Sequence, residues 1–310
     1  MKMIQNIDVV PENGRNPVWF NGEFIPFEEA TVHVVTHANN YGTAVFEGIR
    51  VYDTCKGTSL FHLNEHIDRL LASAQKLGIE SLYSKDEIIT ACIDTVKASG
   101  QSQGYIRPQL QFGLSSPGLG KTNVVEMSIF FWPMGNYRDS EALNVVLSDI
   151  ERISPKAGDI EAKVMGFYTN SHFNYRFAHS RGADDAIMLD VNGNVAEASS
   201  SNIFLIKDNQ VITPKTGYIL KGITRKSVIE LLQKELNLKV CERVIKPEEL
   251  DTADEIFLTG TAAQIDPVTT YNNKPVGNGK IGEITSKLQA LYDEVTHADN
   301  QDHLDWHTFI

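Results

Sequence analysis

Three segments in the second half of the chain carry residue types that can do chemistry. The first holds Lys163, a primary amine, and the second holds Glu197, a carboxylate beside a turn that leads into an apolar run. The third, Leu220–Arg225, is a glycine turn followed by a helix start, where free backbone N–H groups favour an anion. Each segment taken alone has an ordinary structural explanation. Lys163 could be a surface lysine, Glu197 a solvated acid and Leu220–Arg225 a helix cap, so only their combination is informative.

The stretch from Glu197 to Arg225 has a fixed spacing of residue types. It reads E-x-S-x-x-N-I-F, six residues, V-x-T, six residues, and L-x-G-I-x-R. This pattern closely resembles the signature of the class IV aminotransferases, which are pyridoxal-phosphate enzymes of fold type IV. Further segments resemble the branched-chain amino acid aminotransferases in particular. These segments are Asn40–Arg50, His66–Leu70, Tyr105–Pro108 and Thr259–Val268.

The resemblance implies a role for each residue around the cofactor ring. Lys163 matches the lysine that forms the Schiff base with pyridoxal 5'-phosphate, and an amine is required because it forms a reversible imine. Glu197 matches the carboxylate that pairs with the pyridine nitrogen and keeps it protonated. Tyr168 matches the phenol that bonds the ring oxygen, and Leu220 matches the residue that packs on the ring.

The cofactor phosphate is expected to lie in a local cationic pocket of an otherwise acidic protein. By resemblance it is held by Arg69, by the backbone N–H groups of Ile223 and Thr224, and by the hydroxyls of Thr224 and Thr261. Helical periodicity places Arg69 on the solvated side of its helix, opposite the apolar residues Ile67, Leu70 and Leu71. Only the resemblance makes Arg69 a phosphate ligand.

The resemblance also implies a substrate site. The substrate carboxylate is expected at the N–H groups of Thr261 and Ala262, with Tyr105 and Arg107 nearby. An apolar and aromatic lining is expected for the substrate side chain. That lining consists of Tyr41, Phe46, Met134 and Tyr137.

The resemblance implies a branched-chain amino acid aminotransferase, a transferase of amino acid biosynthesis. It would exchange an amino group between L-leucine, L-isoleucine or L-valine and 2-oxoglutarate, giving branched-chain 2-oxo acids and L-glutamate. The family's pocket borrows a loop from a second subunit, so a homodimer or a higher multiple of dimers is expected.

Two alternatives stay open at this stage. Ser200-Ser201-Asn202 stands where branched-chain enzymes commonly have Gly-Glu-Asn, and the serine version is more usual in D-amino acid aminotransferases. A D-amino acid aminotransferase or an aminodeoxychorismate lyase of the same class is therefore the near alternative. The remote one is a zinc peptidase, because His62 to His66 reads H-x-x-E-H. Asn64 is expected to cap the helix and leave His62 outside it, so no metal is predicted.

The strands and helices that must position these residues can be predicted from local sequence patterns. They indicate an α+β protein of two domains. A hairpin is expected over Val18–Ile25, a strand over Thr43–Tyr52 and a helix over Asn64–Leu77 with Asn64 as its N-cap. Ser84-x-x-Glu87 is a capping box, and Thr224 is expected to cap another helix.

The resemblance assigns these elements to the two-domain fold of type IV, which is that of D-amino acid aminotransferase. A smaller N-terminal α/β domain is expected over residues 1–136, a linker over 137–143, and a C-terminal cofactor-binding domain over 144–310. The C-terminal domain is expected to hold a β-barrel-like sheet with helices.

Composition limits the partners. The chain has 28 Lys and Arg against 40 Asp and Glu, a net charge of −12, which argues against non-specific binding to nucleic acid or anionic lipid. The first residues have no apolar run long enough for a signal peptide, so none is expected, and no stretch approaches the length of a spanning helix. The cysteines are odd in number, namely Cys55, Cys92 and Cys241. A cytoplasmic enzyme acting on small amino acids and 2-oxo acids is expected, with neither nucleic acid nor membrane as a partner.

Overall fold

A computed structural model describes residues 9–116, 118–119, 124–135, 137–138 and 140–310. The chain forms two compact units. The first unit comprises the described residues of Met1–Gly135 together with Ala162–Gly166 and Val295–Ile310. The second unit comprises the described residues of Asn136–Glu161 and Phe167–Glu294. Each unit is thus built from separate stretches of chain, and the domain boundaries at 137–143 stay a prediction.

The first unit is an antiparallel sheet with helices. Its helices are α1 (His37–Tyr41), α2 (Leu63–Leu77) and α3 (Lys85–Ser99). Its strands up to residue 132 are β1 (Val18–Phe20), β2 (Glu23–Ile25), β3 (Ala44–Phe46), β4 (Ile49–Thr54), β5 (Gly57–Phe61), β6 (Gly104–Phe112) and β7 (Val125–Trp132). These strands run in the order β5-β4-β6-β7-β1-β2, and β3 pairs with β6. Apolar residues spaced three and four apart turn one face of α2 inward, so Ile67, Leu70 and Ala74 are buried.

The second unit is a nine-stranded mixed sheet with helices. Its strands are β8 (Leu143–Leu147), β9 (Asp185–Leu189), β10 (Val195–Ala198), β11 (Asn202–Lys207), β12 (Gln210–Pro214), β13 (Val240–Arg243), β14 (Glu255–Gly260), β15 (Gln264–Tyr271) and β16 (Lys274–Pro275). Their order is β10-β9-β8-β15-β14-β11-β12-β13, with β16 on β15. Helices α4 (Tyr168–His179), α5 (Ile223–Lys234) and α6 (Glu283–Thr296) follow β8, β12 and β16 in the chain. The rings of Phe204 and Phe257 stack at 4.9 Å in the core of this sheet.

The end of the chain returns to the first sheet. Strand β17 (His307–Phe309) pairs antiparallel with β5. Short 3-10 helices also occur, at Glu12–Gly14, Phe27–Glu29, Met165–Phe167, Pro247–Thr252 and Gln301–Trp306. Among the described residues, no helix is long and apolar enough to cross a membrane.

Two local predictions are confirmed. Val18–Ile25 is a hairpin in which Val18 pairs with Ile25 across the predicted turn. At the start of α3, the N–H of Glu87 donates to Ser84 Oγ and the N–H of Ser84 donates to the Glu87 carboxylate, which completes the capping box.

Three local predictions are wrong. The predicted strand Thr43–Tyr52 is two strands, because Glu47 and Gly48 interrupt it, and a Cβ on Gly48 would lie 1.6 Å from the Tyr105 hydroxyl oxygen. Asn64 does not cap α2. The helix begins at Leu63 after His62, whose N–H donates to the Trp306 carbonyl at 2.7 Å and whose ring packs on Trp306. Thr224 is the second residue of α5 and Gly222 is its N-cap.

Candidate active site

Backbone hydrogen bonds fix the position of Lys163 in the first unit. Its N–H donates to Ser73 Oγ on α2 at 3.0 Å, and its carbonyl accepts the N–H of Phe46 at 3.3 Å. The next residue, Val164, forms a β-bridge with Val45. Helix α2 and strand β3 together therefore hold the segment that carries this amine.

A close contact between two glycines secures the same segment. Gly42 has a φ of +69°, and the N–H of Gly166 donates to its carbonyl at 3.1 Å. A Cβ on Gly42 would lie 2.8 Å from the Cα of Gly166, so any side chain there would displace the backbone three residues after Lys163.

Two cations lie near the buried ring of Phe46. The amine of Lys163 is 5.1 Å from the ring centroid, and the guanidinium carbon of Arg107 is 4.8 Å from it. Arg107 Nη2 also donates to the Tyr105 hydroxyl at 3.5 Å. Arg107 Nε is buried and has no hydrogen-bond partner among the described residues. A buried donor of this kind fits an anionic ligand such as a carboxylate.

Arg69 belongs to a buried charge cluster that the sequence did not reveal. We call Glu47, His66 and Arg69 the Arg69 cluster. Arg69 Nε and Nη2 donate to the two oxygens of Glu47 at 2.5 and 2.8 Å, and His66 Nδ1 lies 2.7 Å from Glu47 Oε2. Arg69 is four residues before Ser73 on α2, so one face of the helix carries both a guanidinium and the hydroxyl that holds Lys163.

The charges of the Arg69 cluster shift the pKa of both titratable partners. Burial alone would raise the pKa of Glu47, but the charge and hydrogen bonds of Arg69, followed by those of His66, hold it well below its usual value. Burial lowers the pKa of His66 to about 4, although its hydrogen bond to Glu47 opposes this shift. The cluster is therefore an ionised Glu47–Arg69 pair beside a neutral imidazole at neutral pH.

The remaining predicted residues of the first unit differ in exposure. Tyr41 is 44% exposed at the end of α1, and Met134 is half-buried. Gly135, next to Met134, accepts a hydrogen bond from Arg50 Nη1 at 2.8 Å. Arg50 thus orders the end of this segment.

Glu197 is the centre of a polar network in the second unit. It is 6% exposed at the end of β10, and it accepts hydrogen bonds from Arg152 Nε at 2.5 Å and Asn202 Nδ2 at 3.0 Å. The N–H of Leu220 also donates to it at 3.1 Å, while Asn202 Nδ2 donates to the Leu220 carbonyl. A Cβ on Gly222 would lie 2.0 Å from Asn202 Oδ1, so only glycine permits this arrangement.

The first turn of α5 follows this network directly. Gly222 has an extended backbone, and Ile223 and Thr224 are the first two helical residues. Their N–H groups lie before the i−4 ladder of the helix begins, so they can donate to an anion. Thr224 is 5% exposed and lies on the side of α5 that packs inward.

The turn between β14 and β15 is the second candidate anion site of this unit. Thr261 and Ala262 are half-buried residues of this turn, and Thr259 Oγ1 just before it is buried without a hydrogen-bond partner among the described residues. Tyr168 is half-buried at the start of α4, and Tyr137 is 48% exposed.

The structure thus groups the predicted residues by unit. Within the first unit it brings Lys163, Phe46, Tyr105 and Arg107 together. Within the second it joins Glu197 to Leu220, which leads into Ile223 and Thr224.

Sequence reasoning missed the partners of these residues. Each predicted residue of this kind has a partner that the sequence did not indicate. Arg152 and Asn202 bind Glu197, Ser73 binds the Lys163 N–H, Glu47 binds Arg69, and His66 in turn binds Glu47. Glu47 and His66 lie inside segments that resemble the family, but no local pattern indicates that they meet across 19 residues.

The two histidines of the H-x-x-E-H segment have separate partners. His62 precedes α2 and lies 3.2 Å from Glu65, whereas His66 contacts Glu47. In the part of the chain that the structure describes, no three His, Cys, Asp or Glu side chains are placed to hold a metal ion.

Comparison with known proteins identifies the family. The family model for amino-transferase class IV matches residues 44–271. The branched-chain-amino-acid aminotransferase of Pseudomonas aeruginosa is 38% identical over 298 residues, which cover 94% of this chain and 97% of that protein. The chain therefore belongs to the class IV aminotransferases, and the predicted family and fold class are confirmed.

Solved structures of branched-chain amino acid aminotransferases are similar to this chain over almost its whole length. The T.th. branched-chain amino acid aminotransferase complexed with N-(5'-phosphopyridoxyl)-L-glutamate superposes with a TM-score of 0.91 at 35% identity, covering 95% of this chain and 98% of that one. The same enzyme with pyridoxamine 5'-phosphate gives a TM-score of 0.92 at 34% identity, with 95% and 98% covered.

Proposed function

We propose that this protein is a branched-chain amino acid aminotransferase that uses pyridoxal 5'-phosphate. It transfers the amino group of L-leucine, L-isoleucine or L-valine to 2-oxoglutarate, which yields the branched-chain 2-oxo acid and L-glutamate. The observation that carries the proposal is the match of almost the whole chain to enzymes of that name. The glutamate conjugate bound by the T.th. enzyme favours glutamate as the second substrate.

The residues present fit this cofactor. Lys163 is an amine on a fixed backbone, Glu197 is a buried acceptor for a ring N–H, and the first turn of α5 offers N–H groups to a phosphate. Arg69 would supply the guanidinium for the phosphate, Tyr168 the phenol and Leu220 the apolar contact. When bound, the cofactor supplies a ring that accepts electrons from the substrate Cα.

The chain's own residues then have distinct tasks. Lys163 would hold the cofactor through its amine, and the same amine would move the proton at the substrate Cα. Glu197 would accept the N–H of the ring nitrogen, and the hydrogen bonds from Arg152 and Asn202 orient that carboxylate. If either Arg152 or Asn202 were lost, the Glu197 carboxylate would shift and its hydrogen bond to the remaining donor would be distorted.

Substrate orientation depends on cationic and backbone donors. The N–H groups of Thr261 and Ala262 bind the α-carboxylate. The buried Nε of Arg107 has no other acceptor in the described residues, so a carboxylate of either substrate satisfies it. By resemblance, the ring of Phe46 and the side chains of Tyr41, Met134 and Tyr137 would offer apolar and aromatic surface to a branched side chain.

Replacement of Lys163 tests the chemistry. We expect Lys163→Ala to lower turnover of L-leucine by about a thousandfold or more, because the group that moves the Cα proton is gone. Lys156→Ala is the matched control, since Lys156 is an exposed lysine to which no task is assigned, and it should keep wild-type turnover. Turnover that survives in the Lys163 variant would overturn the mechanism.

A donor panel tests the substrate class. The first half-reaction is followed by the visible absorbance of the purified holoenzyme after adding L-leucine, L-glutamate or D-alanine. We expect L-leucine and L-glutamate to bleach it. Bleaching by D-alanine alone would identify a D-amino acid aminotransferase, and release of pyruvate from aminodeoxychorismate would identify the lyase.

A second copy of the chain is the proposed partner. Four apolar side chains of the first unit are exposed near the bridge between Thr36 and Leu114. These side chains are Val32 at 51%, Val34 at 74%, Val35 at 39% and Leu114 at 51%. A surface of this kind is typical of an interface. Light scattering should give the mass of a dimer or a multiple of it, and Val34→Glu should lower that mass.

The cytoplasm is the proposed compartment. Cys55, Cys92 and Cys241 are all free thiols, which is typical of a reducing environment. Fractionation of cells expressing the tagged chain tests this location.

A further inference from the structure

A second buried charge cluster lies in the second unit, and no step of the proposed reaction uses it. We call Arg138, Asp185 and Asp266 the Arg138 cluster. Arg138 Nη2 donates to Asp185 Oδ2 at 3.2 Å, and Arg138 Nε lies 3.0 Å from Asp266 Oδ2. The arginine side chain is 17% exposed and those of the two aspartates are 0% and 15% exposed.

Both aspartates are anchored in strands that pair with a neighbouring strand on each side. Asp185 begins β9, and its Oδ1 accepts the N–H groups of Ala186 at 2.8 Å and Ser199 at 3.3 Å. Asp266 lies in β15, where it pairs with Leu258 of β14. The two aspartates are therefore fixed in position, and the guanidinium of Arg138 binds between them.

The residues of the Arg138 cluster lie close in sequence to residues of the proposed site. Ser199, which Asp185 holds, follows Glu197 by two residues, and Asp266 follows Ala262 by four. Arg138 comes directly after Tyr137, whose ring centroid is 5.5 Å from the guanidinium carbon. This distance is within the range of a cation–π contact, so the same guanidinium that binds the acids also supports the Tyr137 ring.

The cluster has one cation for two carboxylates, which makes Asp266 sensitive to pH. Burial raises the pKa of Asp266 to about 6, and the negative charge of Asp185 adds to this shift, whereas Arg138 opposes it. Across the sheet its neighbour Leu258 is apolar and adds no charge. Arg138 Nε and Asp266 Oδ2 are close but not aligned for a hydrogen bond, so their attraction is mainly between charges.

We propose that Arg138 is a positioning residue that sets the affinity for the substrate side chain by holding Tyr137 in place, and that this hold weakens when Asp266 takes up a proton. The proposal rests on the proposed function, in which Tyr137 contacts the branched side chain. The sign follows from linkage. Arg138 lowers the proton affinity of Asp266, so proton uptake in turn favours release of Arg138.

The first test removes the guanidinium. With the holoenzyme at about pH 7.5, we expect Arg138→Met to raise the KM for L-leucine about tenfold, to leave kcat within about twofold, and to change the KM for L-alanine little. L-Alanine has no side chain long enough to need Tyr137. Arg138→Lys should restore part of the affinity, because it keeps the charge.

A direct binding measurement accompanies the kinetics. Calorimetry with 4-methylpentanoate, which is L-leucine without its amino group, should show weaker binding to Arg138→Met by the same factor. The matched control is Arg181→Met, since Arg181 pairs with Asp149 at an exposed position of the same unit and should change neither affinity. A Met variant that raises the KM for leucine and alanine equally, or neither, would overturn the proposal.

The second test removes the proton switch. Between about pH 8 and pH 5.5, the ratio of the KM for leucine to that for alanine should rise as pH falls in the wild type. Asp266→Asn mimics the protonated acid, so its ratio should be high and constant over this range. An Asn variant with the wild-type pH profile would overturn the proposed switch. A wild-type enzyme that does not act on L-leucine would overturn the proposed function as well, which separates the two failures.

Discussion

The Arg69 cluster and the Arg138 cluster each hold an arginine against buried carboxylates, yet they respond to acid in opposite directions. In the Arg69 cluster one guanidinium faces one carboxylate, and burial keeps the third member, His66, neutral with its pKa lowered to about 4. In the Arg138 cluster one guanidinium faces two carboxylates, and the pKa of Asp266 is raised to about 6.

The difference shows that burial alone does not set the charge of an acid. Glu47 is completely enclosed and stays ionised, because Arg69 and His66 bind both of its oxygens. Asp266 is less enclosed but shares its cation with Asp185, so burial prevails over attraction. The first arrangement is suited to holding a residue in one state at every physiological pH, and the second to changing state near neutrality.

The largest effect is expected from breaking the Arg69 cluster. Glu47→Gln should lower the free energy of unfolding by about 3 kcal/mol, because it leaves a mostly buried guanidinium without its counter-charge. Urea unfolding of the apoprotein measures this loss. Affinity for pyridoxal 5'-phosphate should fall in parallel, since Arg69 loses the partner that orients it.

Glu242→Gln is the control for this variant. Glu242 also binds a buried arginine, Arg225, but its side chain is 46% exposed, so solvent can replace it. If the Glu47 variant cost no more stability than the Glu242 variant, the enclosed pair would not be the anchor that we describe.

A smaller loss of unfolding free energy is expected when one of the two carboxylates of the Arg138 cluster is removed. Asp185→Asn keeps an oxygen for the N–H groups of Ala186 and Ser199, so it should cost about 1–2 kcal/mol of unfolding free energy. It also removes the negative charge beside Asp266. The pKa of Asp266, followed by NMR of its carboxyl carbon, should therefore fall, and an unchanged pKa would contradict the shared-cation account.

The opposite pH dependences can be separated by two variants. For His66 the unfolded chain holds more protons between about pH 4 and 6.5, so its contribution to stability falls as pH drops through that window. For Asp266 the folded protein holds more protons between pH 3.8 and about 6, so its contribution falls as pH rises. Each slope is at most about 1.4 kcal/mol per pH unit, and the two partly cancel where the windows overlap.

Urea unfolding at several pH values measures these slopes. Asp266→Asn should make stability increase more steeply with pH, because only the His66 contribution is left. His66→Asn should shift the slope the other way. Equal slopes in both variants and the wild type would show that neither cluster titrates as described.

The same comparison explains how much could be predicted from the sequence. The capping box at Ser84 and the hairpin at Val18–Ile25 depend on residues a few positions apart, and both were predicted correctly. The resemblance implies roles for Lys163 and Glu197, and these roles stay predictions. Asn64 failed as a cap because a distant contact, His62 with Trp306, decides where α2 begins.

The supporting residues could not be predicted, for the same reason. Glu47 meets Arg69 across 22 residues, and Arg152 meets Glu197 across 45. Arg138 and Asp185 are 47 residues apart. Helical periodicity even assigned Arg69 to solvent, whereas its side chain is 13% exposed because Glu47 draws it inward. A buried charge is placed by its partner, and pairing at such separations depends on the fold.

The smallest change in the free energy of unfolding is expected when an exposed ion pair is broken. Such a pair is the reference against which the two buried clusters are compared. Lys221 Nζ lies 2.8 Å from Glu161 Oε2 in the second unit, but the lysine side chain is 56% exposed. Lys221→Met should therefore change the free energy of unfolding by less than about 1 kcal/mol, because water screens the pair and replaces the lost contact. Urea unfolding of Lys221→Met and Glu47→Gln under the same conditions compares the two losses of unfolding free energy directly. A loss as large as that of the Glu47 variant would show that charge pairing, and not enclosure, determines the stability of these clusters.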